Sequence, residues 1–204
     1  MKKVLMTLMI ASLLVLPLGS VALAEEAVEV SQPPVADFIP GAVPAQTTSA
    51  QAMAPAIHAA VLAMLNQQAQ SFSPADSALA WESLYNMLSL YGQMDERAEY
   101  AEEQLLLPSE TVFDFAAALL GNVPAEPIPE ELADRLTYDA DTDCYLVSCG
   151  SDALCELRLD SDQGSQLSGA LVYLVDGSDL VRFEASLVPQ DNMFGCALVS
   201  LELI

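Results

Sequence analysis

The sequence predicts an α+β protein in which N-terminal helices pack on a C-terminal five-stranded antiparallel meander. Two observations carry that prediction. Between residues 55 and 135 apolar side chains recur at helical spacing, whereas from about residue 143 onward they recur at every second position. Helices first and strands afterwards is the order of a domain whose helices cover one face of a sheet.

Residues 55–70 read as a helix with Ile57, Val61, Leu62 and Leu65 on one face. A second helix opens at Ser73-Pro74-Ala75-Asp76, where serine can cap, proline fits the first position and an acid meets the positive helix end. Its Trp81, Leu84, Tyr85, Leu88 and Tyr91 line one side, and Gly92 is placed to close it as a left-handed C-cap. Residues 93–107 fit either state: the acids at 96–103 suit a solvated helix, while Leu105-Leu106-Leu107 suits helix or strand. Pro108-Ser109-Glu110 restarts a helix through Val112, Phe113, Phe115, Ala116 and Leu119 to Gly121, and a short helix follows at 129–135.

Strands are predicted at 143–149, 153–160, 168–175, 180–188 and 194–203. Cys155, Leu157 and Leu159 alternate with Glu156, Arg158 and Asp160; Val181, Phe183, Ala185 and Leu187 alternate with Arg182, Glu184 and Ser186. Residues 170–175 are apolar on both faces, as in a strand covered on both sides. Asp176-Gly177 marks a hairpin, and connections this short make neighbouring strands antiparallel. In element order alone the layout resembles the cone-shaped helix-plus-curved-sheet folds, such as the nuclear-transport-factor-2-like fold.

The N-terminus sets the expected compartment. Lys2 and Lys3 precede a charge-free apolar run from Val4 to Leu18, and Ala22-Leu23-Ala24 supplies the small-x-small pattern of a signal peptidase site. Residues 1–24 therefore read as a cleavable signal peptide of bacterial character, and the product as secreted or extracytoplasmic. The apolar run is shorter than the roughly 20 residues a spanning helix needs, so no stable membrane insertion is expected after cleavage. Residues 25–51, with Pro33, Pro34, Pro40 and Pro44, read as a flexible linker, and residues 52–204 as the α+β domain, helical over 52–136 and β over 137–204.

Cleavage would also remove both lysines, leaving four arginines against 29 acidic residues, a formal charge of −25. Such a surface repels phosphate backbones and anionic headgroups, so nucleic acid is not an expected partner. It could attract divalent cations or basic partners; the plainer reading, and the preferred one, is that the charge keeps a secreted protein soluble.

Chemical motifs are sparse. His58 stands alone, without the second histidine of a zinc site or a nucleophile elbow, and reads as a helix-surface residue. No phosphate-cradling loop occurs, and acids such as Glu130 and Glu131 are sequence neighbours that do not face one another across a cleft. No catalytic residue or organic cofactor is predicted. The Asp139-Ala-Asp141-Thr-Asp143 segment has the alternating acids of a calcium loop, but Cys144 replaces its turn glycine and Gly150 its closing glutamate. In a five-stranded meander that segment, Asp160, Asp162 and Asp191 fall at one sheet end. Asp139, Asp141, Asp143, Asp160 and Asp162 are therefore the candidate Ca²⁺ ligands, set against the plain preference of aspartate for turns.

The four cysteines, Cys144, Cys149, Cys155 and Cys196, all lie in the β portion. Cys149 and Cys155 would stand opposite across a five-residue turn, which makes them the candidate disulfide, whereas a three-residue turn would set Cys155 against Val147; buried free thiols are the other reading. The functional expectation is an exported, acidic, non-enzymatic binding or interaction module with an extracytoplasmic partner. The alternative expectation is a Ca²⁺-dependent or carboxylate-based hydrolase or carbohydrate-active protein.

Overall fold

The computed structural model describes residues 49–101, 104–149 and 154–204. The expected signal peptide, and all but the last three residues of the expected linker, lie outside them. The described elements run in the order α1 (Ser49–Gln67), α2 (Ser77–Tyr91), β1 (Glu99–Ala101), β2 (Gln104–Pro108), α3 (Ser109–Leu119), β3 (Leu136–Asp139), β4 (Cys144–Ser148), β5 (Cys155–Asp162), β6 (Gln166–Tyr173), β7 (Asp179–Pro189) and β8 (Cys196–Leu203). The class is α+β, with two four-stranded antiparallel sheets in place of one five-stranded meander.

The last four predicted strands do form a meander, β5-β6-β7-β8. The first, β4, belongs to a separate sheet of order β1-β2-β4-β3. Its partners explain the difference. On one side Leu105 and Leu107 stand opposite Val147 and Tyr145; on the other Leu136 and Tyr138 stand opposite the same two residues. Val147 and Tyr145 thus continue two inward-facing cross-strand rows, in which side chains on one face pack as a unit. Both partner strands fall in segments whose composition also fits helix: the acid-and-leucine stretch at 93–107, and the residues beside the predicted helix at 129–135, which reduces to one 3₁₀ turn at Glu130–Leu132.

The helices fill the space between the sheets. α1 packs on β5, β6 and β8 on one side and on α2 and α3 on the other, while α2 and α3 reach β4 and β2. Met53, Ala56, Ile57, His58, Ala59, Ala60, Val61, Ala63 and Met64 are all buried, so α1 is covered nearly all round. The predicted single apolar face is too narrow: Leu62 is half-buried and Leu65 exposed. The small alanines let the neighbouring layers come close.

Asp76 is the N-cap of α2, its side chain accepting from the Leu79 amide at 3.2 Å. Gly92 is not a left-handed cap. Its φ is −58°, and it continues into a 3₁₀ turn. A Cβ there would stand 3.0 Å from Leu107 Cδ1 and 3.1 Å from Leu105 Cδ2, so the glycine is explained by close packing on β2. At the other sheet, Phe72 N–H donates to the Leu201 carbonyl and Leu203 N–H to the Gln70 carbonyl, so the α1–α2 connection covers the β8 edge. The Asp176-Gly177 hairpin is present, with Gly177 at φ 71°. Ala170, Leu171 and Val172 are buried, whereas Leu174 and Val175 lie exposed beyond β6.

Candidate functional site

At the margin of the β1–β4 sheet, α2 ends its cover and a cleft of about 430 Å³ opens. Four segments build it. α2 contributes Trp81; the loop after α3 contributes residues 123–128; β3 and the residues before it contribute Ala133, Leu136, Thr137 and Tyr138; β4 contributes Tyr145. The period of 2 puts Tyr138 on the inward row with Leu136, next to Tyr145 in register. Leu136 is covered by the core, whereas Tyr138, one step closer to the strand end, is 44% exposed. The two tyrosine rings lie 4.9 Å apart at 45°. The contact is tilted, with the centroids inside the range of roughly 4.5–7 Å in which aromatic pairs attract.

Trp81 fastens the opposite wall. Its indole N–H donates to the Glu126 carbonyl at 3.1 Å, holding the proline-rich loop against α2. A buried indole requires such a partner, and Trp81 is buried. Pro124 and Pro127 stiffen that wall and present ring surface without amide donors. The Tyr138 hydroxyl donates to Asp143 Oδ1 at 2.8 Å, and this bond raises the Tyr138 pKa above its ordinary value. Burial raises that of Tyr145 as well. Both phenols are therefore neutral hydrogen-bonding groups at ordinary pH.

The predicted metal ligands are distributed differently. Asp139 to Asp143 form the β3–β4 hairpin loop, in which Asp143 has a φ of 53°. Asp139 accepts from the Asp141 amide at 2.9 Å and from the Thr142 hydroxyl at 2.8 Å; the Thr142 bond, followed by the Asp141 bond, lowers its pKa. Asp160 lies on β5 in the other sheet, bound to Arg158 and Arg182 at 2.9 and 2.6 Å. Asp162 accepts from the Gly164 amide at 2.8 Å in the β5–β6 turn. The convergence expected from a single meander is absent because β4 and β5 belong to different sheets. Among the described residues no group of three or more His, Cys, Asp or Glu side chains is placed to hold a metal ion.

All four cysteines are free thiols. The opposed placing of Cys149 and Cys155 required one hairpin joining β4 and β5; these strands are not paired, and residues 150–153 between them lie outside the described ones. Cys144 and Cys196 likewise stand on different sheets, on β4 and β8.

His58 is buried, at 5% exposure, and is not a surface residue. Its Nδ1 shares a 2.6 Å hydrogen bond with the Tyr91 hydroxyl, its Nε2 has no protein partner among the described residues, and burial pushes its pKa down to about 4. Tyr91 also borders a smaller, mostly apolar hollow of about 200 Å³ with Pro55, Met94, Asp95, Phe115, Met193 and Phe194. The partner of His58 is thus a phenol, not a serine or cysteine nucleophile.

In the sequence Trp81 belongs to a predicted helix and Tyr145 to a predicted strand with nothing to join them, and Tyr138 falls in no predicted element. One signal was present: Leu136-Thr137-Tyr138 alternates and runs into an aspartate-rich turn ahead of β4, which is a hairpin pattern.

Fold and cleft together define an α+β protein with a helical layer between two antiparallel sheets and an aromatic-walled cleft at one margin. The chain matches no protein-family model, no curated protein and no solved structure. Among the described residues no helix is long and apolar enough to cross a membrane.

Proposed function

We propose that the protein is an exported, non-enzymatic binding module that holds its ligand in the cleft between Trp81, Tyr138 and Tyr145. The observation that carries this reading is the character of the lining: three aromatic residues, two prolines and several aliphatic side chains, with Glu126 as the one carboxylate residue. Aromatic walls offer large, rigid contact area at small entropic cost, the property that favours tyrosine and tryptophan at binding surfaces. Carboxylate-based glycoside cleavage needs two acids flanking the scissile bond, roughly 5–9.5 Å apart. A single lining carboxylate supports binding rather than that chemistry. Export rests on the pattern of residues 1–24.

Trp81 is the sole tryptophan of the chain, so its fluorescence reports on the cleft directly. Titration with blocked, uncharged peptides containing proline and tyrosine is expected to shift its emission and to perturb the amide resonances of residues 123–128 and 136–138. Tyr138→Ala should abolish both responses with little change in stability, since the ring is half exposed. Binding that maps elsewhere and survives Tyr138→Ala would overturn the assignment.

A further inference from the structure

We infer that the occupant of the cleft is a cationic, proline-containing peptide segment bound in extended conformation. This inference rests on the proposed role of the cleft and names its ligand class. Shape comes first. Aromatic rings beside prolines form the kind of surface on which polyproline-type segments dock, because such segments are already extended and lose little entropy on binding. The exposed face of Tyr138 also attracts cations through the ring quadrupole.

Charge selects among such segments. Glu126 borders the cleft, and exposed Glu130 and Asp134 stand in the short stretch joining the lining residues Ile128, Ala133 and Leu136. None of the three has an ion-pair partner among the described residues. The nearest arginine in sequence, Arg135, is committed to Glu82 at 3.2 Å and lies over the Tyr85 ring at 4.6 Å. Arg97 is held by Asp95 and Asp114, and Arg158 and Arg182 by Asp160 and Asp179 on the other sheet. Glu126 at the cleft, with Glu130 and Asp134 in the adjoining stretch of chain, is therefore negative charge without an ion-pair partner among the described residues. An acidic or neutral segment gains nothing from that charge, whereas a lysine or arginine next to the docked proline does.

The test uses the mature chain and three blocked peptides of equal length sharing one proline-tyrosine core, flanked by lysines, by serines or by glutamates. One near charge contact in a water-like dielectric is worth roughly a fivefold gain in affinity. The lysine peptide is therefore expected to bind roughly tenfold or more tightly than the serine peptide at low salt, with the advantage shrinking toward unity in 0.5 M salt. A rim variant carrying Glu126→Gln, Glu130→Gln and Asp134→Asn should lose that advantage. A control carrying Glu156→Gln, Glu184→Gln and Glu202→Gln on the other sheet removes the same charge and should keep it. Equal binding of lysine and serine peptides, or a lysine advantage that survives in the rim variant, overturns the cationic assignment; the cleft itself stands if Tyr138→Ala still abolishes binding. If none of the peptides binds in a manner that depends on Tyr138, both the ligand class and the cleft assignment fall.

Discussion

The His58 imidazole and the Tyr91 hydroxyl share a hydrogen bond of 2.6 Å that joins the first helix to the end of the second. The contact brings together two groups that burial keeps neutral, since desolvation lowers the proton affinity of the histidine and raises the pKa of the phenol. A charged imidazolium in the centre of α1 would carry a buried Nε2 proton that has no hydrogen-bond partner among the described residues.

That arrangement makes folding pH-dependent in a defined window. The folded protein binds the His58 proton less well than the unfolded chain, with pKa about 4 against 6.5. Stability is untouched above pH 6.5, declines as pH falls toward 4 and loses nothing further from this group below that. The full loss is about 3 kcal/mol. Protonation of the many carboxylates acts in the same range, so the expected readout is a difference: the stability of His58→Leu relative to the native chain should rise by about 3 kcal/mol between pH 7 and pH 4 in urea unfolding. A constant difference across that range would show that His58 titrates normally.

A second prediction concerns Gly169, which stands opposite Leu159 on β5 and opposite Phe183 on β7. A Cβ there would collide with the Arg158 carbonyl oxygen and approach Phe183 Cζ to 2.8 Å. The glycine thus makes room for the Phe183 ring, which is fully buried. Gly169→Ala is expected to destabilise by about 1–3 kcal/mol through overpacking. Adding Phe183→Leu should recover part of that loss, measured as non-additivity in a double-mutant cycle; strict additivity would argue against the contact.

The helix-then-strand order was readable because its signals are local. The apolar period of α2 marks that helix, although its cap is Asp76 and not the expected Ser73, and the alternation in β5 and β7 is interrupted by turn residues such as Asp176-Gly177. Sheet membership was not readable for β4. Its side-chain pattern fits any half-buried strand, and its partner β2 lies about forty residues earlier in a leucine run that suits helix as well. That single ambiguity displaced the acidic loops and the cysteines, because their expected convergence followed from β4 lying beside β5. The cleft was hidden for a related reason: Trp81, Pro124, Tyr138 and Tyr145 are brought together only by the packing of α2 on the β3–β4 hairpin.

Calcium provides a third prediction. With Asp139 to Asp143 in one hairpin and Asp160 tied to two arginines on the other sheet, millimolar Ca²⁺ is expected to leave the melting temperature unchanged beyond the effect of ionic strength, as judged against Mg²⁺ and Na⁺ controls. A saturable, Ca²⁺-specific rise would require the two loops to share a site, or one of them to bind alone.

The thiols supply the final prediction. Cys149 is exposed, Cys144 and Cys155 are half-buried, and Cys196 is buried opposite Pro189 on β7. Thiols react through the thiolate, so pKa and access both act; burial pushes the Cys149 thiol up, and its lead rests on its exposure. Cys149 is expected to react first with an aromatic disulfide reagent, Cys144 and Cys155 more slowly, and Cys196 only as the β7–β8 ladder opens. Unfolded in denaturant without reductant, the protein should yield four titratable thiols. Two missing thiols would instead mean that a bridge forms, and peptide mapping would identify it. A Cys149–Cys155 bridge closes a short loop and would add stability toward the lower part of the usual range of about 2–4 kcal/mol. It would also have to draw the end of β4 to the start of β5 without the hairpin pairing that would place the two residues opposite each other, so its formation should change the amide resonances of both strands. Loss of the Cys144 or Cys196 thiol would be harder to reconcile, since those residues stand on different sheets and their pairing would require a different topology.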